Sequence, residues 1–141
     1  MPADGVTSIL LVVSTATVKD AGSDMFFELI IPELASTESP APTAPGDTGI
    51  YTLPANGSKT IDQISPTDIT ISADMPNGDN AWLPASLYLL AKTDTSDYQL
   101  VCGIPQWPSQ IWISEDQSAH TLPPAFPAIS LQNVLDARNP F

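Results

Sequence analysis

Two short acidic stretches hold the residue types best suited to chemistry in this sequence. Lys19-Asp20-Ala21-Gly22-Ser23-Asp24 and Asn77-Gly78-Asp79-Asn80-Ala81-Trp82-Leu83-Pro84 each set carboxylate and amide oxygens beside glycine, between apolar runs. A fold that carries both to one edge would gather Asp20, Asp24, Asn77, Asp79 and Asn80 into an oxygen-rich pocket. Such a pocket suits a hard cation such as calcium, which takes about six to eight oxygen ligands. The competing reading is that acidic turns are an ordinary way to connect strands.

Other chemistries find less support. His120 is the only histidine, and no nucleophile motif accompanies it in Ser118-Ala119-His120-Thr121, so a serine or cysteine triad is not expected. One Cys and one His fall short of the roughly three or four nitrogen and sulfur ligands that zinc needs. Glu28, Glu33, Glu38 and Glu115 accompany the aspartates, but nothing in their spacing fixes a carboxylate pair for glycoside hydrolysis. The sequence has no phosphate-binding glycine loop. It reads as not an enzyme.

The tryptophans offer binding chemistry of another kind. In Pro105-Gln106-Trp107-Pro108-Ser109-Gln110-Ile111-Trp112, an exposed indole between prolines could stack on a sugar ring or anchor a protein interface. Trp112 faces opposite to Ile111 and Ile113 if residues 110–114 form a strand. If the isoleucines are core, Trp112 is available to a partner; if Trp112 is core, the isoleucines form the patch. Trp82 enters a strand, which suits core packing more than contact, but it is the third indole that could meet a partner or ligand.

Composition narrows the partners. Sixteen acidic residues against Lys19, Lys59, Lys92 and Arg138 give a formal net charge of -12, so nucleic acid would be repelled. Docking on anionic lipid would need bound cations to reverse the local sign. At 141 residues with 43% hydrophobic content, the chain suits one domain spanning residues 1–141. Its 15 prolines are twice an average of about 5%, and helix is disfavoured by them. Cys102, the single cysteine, rules out an internal disulfide and reads as a small buried hydrophobe. The apolar run 9–13 is too short to span a bilayer and follows no basic segment, so the chain as given reads as soluble and uncleaved. Asn56-Gly57-Ser58 fits a glycosylation sequon, though a turn explains it more simply.

The elements that must position these residues are mostly strands. Residues 6–18 suit one long strand, or two joined at Ser14-Thr15, and 25–31 suit a hairpin partner across the first acidic stretch. From 32 to 49 the chain is rich in Pro, Ser, Thr and Ala and reads as a long surface loop of polyproline character. Short strands are predicted at 50–53 and 59–61. In 68–72 alternation sends Ile69 and Ile71 to the core and Thr70 and Ser72 to water. Residues 86–91 and 98–102 flank a polar connection of hairpin length. Only 130–138 has helical spacing, at Leu131, Val134 and Leu135, with Ser130 placed to cap it. Together these predict an all-β fold, an antiparallel two-sheet β-sandwich of about eight strands with a short C-terminal helix.

Residues 13–31, strand, acidic turn and strand, resemble the opening hairpin of the PLAT (lipoxygenase-homology) β-sandwich, with Ser23 where that family's turn usually has threonine. Asn80-Ala81-Trp82-Leu83-Pro84-Ala85-Ser86-Leu87-Tyr88-Leu89-Leu90 is similar to its segment in which a tryptophan precedes a core strand. The resemblance covers about two-fifths of the chain; the proline-rich stretch and the region after Asp97 lie outside it. It implies a non-catalytic module that contacts a protein or lipid surface, in some members with calcium at the loop ends. Carried over by position, the ligands would be Asp20, Gly22 through its carbonyl, Asp24 and Asp79, with Asn77, Asn80, backbone carbonyls and water completing the shell.

Three readings follow from the sequence. One is a PLAT-like binding module that contacts protein or lipid, either calcium-assisted, with calcium as its cofactor, or calcium-free. A second is a structural subunit that self-assembles as a homo-oligomer through its proline-rich arm and tail. The third is a carbohydrate-binding sandwich that presents Trp107 or Trp112 to a glycan.

Overall fold

The computed structural model describes residues 4–17, 26–40, 46–74, 82–108, 111, 113 and 128–138. Its strands are β1 Val6–Thr15, β2 Phe26–Ile31, β3 Ala35–Pro40, β4 Thr48–Pro54, β5 Thr70–Asp74, β6 Pro84–Thr93, β7 Gln99–Ile104 and β8 Ala128–Ser130, followed by helix α1 Leu131–Arg138. They make two antiparallel sheets, a first in the order β4-β1-β6-β7 and a second in the order β3-β2-β5-β8. This is the all-β, two-sheet sandwich that the sequence predicts.

Alternating apolar residues build the core because successive side chains of a strand point to opposite faces. Ile9, Leu11 and Val13 of β1, Leu87, Leu89 and Ala91 of β6, and Phe27, Leu29 and Ile31 of β2 all turn inward and are buried. Ile69 and Ile71 do the same around the start of β5, while Thr70 and Ser72 stay half-buried on the outer side. Each such Leu, Ile or Phe contributes about 1.5–3 kcal/mol on full burial, and all belong to one apolar cluster with Trp82.

Helix α1 closes one edge of this cluster. Its Leu131 and Val134 are buried, and the Leu131 N–H donates to the Ile69 carbonyl at 2.9 Å. The Ser130 hydroxyl accepts the Asn133 N–H at 3.2 Å, the cap that the sequence anticipates. Cys102 is buried, also as expected. Among the described residues, no helix is long and apolar enough to cross a membrane.

Three local expectations are corrected. β1 and β2 are not a hairpin: β1 pairs with β4 and β6, whereas β2 pairs with β3 and β5 in the other sheet. Both are apolar enough to be central strands, so each takes two neighbours in its own sheet. The proline-rich segment 32–49 is not one long loop, because it contains β3 and the start of β4. β3 is an edge strand, where Ser, Thr and Pro are tolerated because one side needs no ladder partner. Residues 59–61 do not form a strand: Thr60 makes an isolated bridge to Gly5, and Ile61–Gln63 is a single 3-10 turn. Gln63 holds that turn by accepting the Thr60 N–H on its side-chain oxygen at 2.9 Å.

Candidate functional site

The first acidic stretch lies between β1 and β2 and the second between β5 and β6, so their placement depends on where those four strands end. In the first sheet Thr15, the last residue of β1, is in register with Pro84, the first of β6. In the second sheet Phe26, the first residue of β2, is in register with Asp74, the last of β5. Trp82 joins the two pairs. Its indole N–H donates to the Thr15 hydroxyl at 2.8 Å, and its ring stacks on Phe27 with centroids 5.3 Å apart and planes at 26°. The two stretches therefore leave and re-enter the sandwich at one end, the placement that a shared cation site requires.

Backbone hydrogen bonds fix the same end. The Ala16 N–H donates to the Leu83 carbonyl at 2.9 Å, and the Trp82 and Ile113 backbones exchange two bonds of 2.9 and 2.8 Å. The Thr15 N–H donates to the Asp47 carbonyl at 2.8 Å, and the Gly46 N–H donates back to the Thr15 carbonyl at 3.0 Å. Asp47 thus adds an exposed acidic residue at this end. Sequence alone places Asp47 in a long loop, so its position on the approach to β4 is not legible there.

Asp20, Gly22, Asp24, Asn77, Asp79, Asn80 and Trp112 lie outside the described residues, as does His120. Among the described residues no three His, Cys, Asp or Glu side chains are grouped closely enough to hold a metal. Trp82 is 0% exposed, the core packing that its place before a strand suits rather than a contact, and Trp107, 4% exposed, corrects the expectation of an exposed indole. The Trp107 indole N–H donates to the Ile111 carbonyl at 2.8 Å, and its backbone N–H donates to Ala85 at 2.8 Å. A buried indole commonly finds such a partner, so both tryptophans serve packing in this structure. Ile111 and Ile113 are core as well.

At the opposite end a polar cavity of about 310 Å³ is lined by Asp4, Thr60, Ile61, Asp62, Thr95 and Gln99, among others. It draws on three separate segments, which is why no local motif announced it. Its floor includes buried Thr93, whose hydroxyl is 3.1 Å from the Ser96 hydroxyl and accepts the Thr95 N–H at 3.2 Å. These bonds shape the β6–β7 turn.

Strand order and packing define the chain as a two-sheet antiparallel β-sandwich. Among solved structures it is similar to the alpha toxin from Clostridium absonum, with a TM-score of 0.60 and 19% identity over 82% of this chain. The match covers 31% of the toxin, so this chain spans less than a third of its length. At that identity the likeness is one of fold alone. No family model and no curated protein matches the chain.

Proposed function

We propose that this sandwich is a non-catalytic, PLAT-like binding module that uses its acidic end to meet a protein or lipid surface, with calcium held between the two loops. The observation that carries the reading is the Trp82 bridge, which ties the end of β1 and the start of β2 to the start of β6. Asp20, Asp24 and Asp79 are its acidic ligands, with Gly22, Asn77 and Asn80 completing the shell through oxygens. A fold neighbour in which such a sandwich accounts for less than a third of the chain supports a module rather than a catalytic unit.

The electrostatics give calcium a purpose. A chain of net charge -12 is repelled by anionic lipid, and a bound divalent ion reverses that sign locally. Thermal unfolding with and without millimolar calcium tests the site. A dissociation constant a hundredfold below the free ion corresponds to about 2.7 kcal/mol of added stability. The expected result is a raised midpoint that chelator reverses and that Asp24→Ala and Asp79→Ala each lose. An unchanged midpoint in saturating calcium would refute the calcium site. Cosedimentation with phosphatidylserine vesicles in calcium then distinguishes a lipid surface from a protein one.

A further inference from the structure

The first sheet differs from the rest of the molecule in charge. Sixteen Asp and Glu occur in the chain, yet none falls in β1, β4, β6 or β7, where Lys92 is the only charged residue. The second sheet has Glu28 of β2 directly opposite Glu38 of β3, and β5 ends at Asp74.

Register turns this difference into a surface. Val12 is paired with Ile50 on one side and Tyr88 on the other, so one apolar row crosses β4, β1 and β6. Leu10 pairs with Leu90, which pairs with Leu100, so a second row crosses β1, β6 and β7. Gly103, opposite Tyr88, leaves bare backbone on which the Leu100 and Tyr88 side chains converge: a Cβ placed there would lie 3.4 Å from Leu100 and 3.5 Å from Tyr88. At the two edges, Ile50 is 69% and Leu100 is 60% exposed. Ser14, Thr48 and Ser86 rim the face at one end, and Ser8, Pro54 and Lys92 at the other.

We infer that this outer face of the first sheet is the contact between two copies of the chain, stacked sheet on sheet. The four strands, ten, seven, ten and six residues long, rise about 3.3 Å per residue and lie about 4.8 Å apart, so they project roughly 500 Å². Two such faces bury about 1,000 Å² in total, the size at which a specific interface begins and one that suits a weak, concentration-dependent contact. The surface is also self-complementary. A two-fold axis running along the strands lays β1 of one copy over β6 of the other, and the Ile50 edge over the Leu100 edge. Because each copy is strongly acidic, a second copy can approach closely where carboxylates are missing, and that place is this face. The contact is independent of the loop end.

Light scattering after size exclusion, over micromolar to millimolar protein, tests the contact on the intact chain. The mass is expected to rise from 14.9 kDa toward twice that value, and to do so at lower concentration in high salt, because salt screens repulsion between like-charged copies. Ile50→Glu and Leu100→Glu, both at exposed positions, are expected to hold the mass at the monomer value with an unchanged far-ultraviolet spectrum. Ser36→Glu, on the second sheet, is expected to leave the dimer intact. A native chain that stays monomeric at millimolar concentration in high salt would overturn the inference. So would a monomer that cosediments with neutral phosphatidylcholine vesicles and loses that binding in Ile50→Glu, since lipid would then be the occupant.

Discussion

Trp82 donates its indole N–H to the hydroxyl of Thr15, 67 residues earlier, at 2.8 Å within the core. The bond joins the strand that enters the first acidic stretch to the strand that leaves the second. Substituting Thr15→Val keeps the shape and leaves the buried N–H without this acceptor, a loss that costs about 1–3 kcal/mol. Urea unfolding is expected to register that loss. With Trp82→Phe added, the two effects are expected to fall short of their sum, because the first substitution already breaks the bond they share.

The β2–β3 turn contains an unusual backbone. Leu34 donates to the Ile31 carbonyl at 3.1 Å, Pro32 precedes Glu33, and Glu33 has a φ of 66°. This is the pattern of a type II turn, in which the third position favours Gly or Asn. A non-glycine residue there costs about 1–2 kcal/mol. Asn tolerates the left-handed region and adds less chain entropy to the unfolded state than Gly. Glu33→Asn is therefore expected to raise the midpoint of thermal unfolding by a few degrees. The Glu33 carbonyl, which accepts from Asn56 at 2.9 Å and from Ser58 at 2.6 Å, is retained in the variant.

That turn also explains why part of the fold was hidden in the sequence. Where one face of a strand is buried, alternation is written plainly, so Ile69 and Ile71, the β6–β7 hairpin and the Ser130-capped helix are all legible. β3 is an edge strand of Ser, Thr, Glu and Pro, and its ladder to β2 depends on backbone groups that composition does not encode. Pairing between strands far apart in the chain is hidden for a related reason. β1 finds its partners 34 and more residues away, as between Ser14 and Thr48, whereas a sequence reading favours the neighbouring segment. At the loop end, the acidic stretches and Trp82 were visible as motifs. The approach of Asp47 was not, because it depends on where β4 begins.

Burial holds the Tyr51 phenol above its ordinary pKa of 10.0. Its ring meets Phe27 edge-on at 5.3 Å, within the same aromatic group as Trp82. The unfolded phenol ionises near its ordinary value and the folded one at higher pH. The stability linked to Tyr51 is thus fully present below pH about 10 and is lost as pH rises through the folded value. Unfolding midpoints measured on the alkaline side are expected to fall less steeply in Tyr51→Phe than in the native chain.

Gly5 stands where two backbones nearly touch. The Val6 N–H donates to Lys59 at 2.8 Å, the Gly57 N–H donates to Val6 at 2.9 Å, and the Ala55 N–H donates to Thr7 at 3.0 Å. A Cβ on Gly5 would come within 2.9 Å of the Gly57 Cα and closer still to its carbonyl. Backbone cannot rotate aside as a side chain can, so Gly5→Ala must push segment 55–60 away from β1. Overpacking of this kind costs about 1–3 kcal/mol. Gly103→Ala is the control, since its Cβ would make ordinary side-chain contacts and alanine in a strand is favoured over glycine by about 0.5–1 kcal/mol. Urea unfolding is expected to place Gly5→Ala well below the native chain and Gly103→Ala at or above it. Equal stability of the two variants would mean that the 55–60 segment yields without losing its hydrogen bonds to β1.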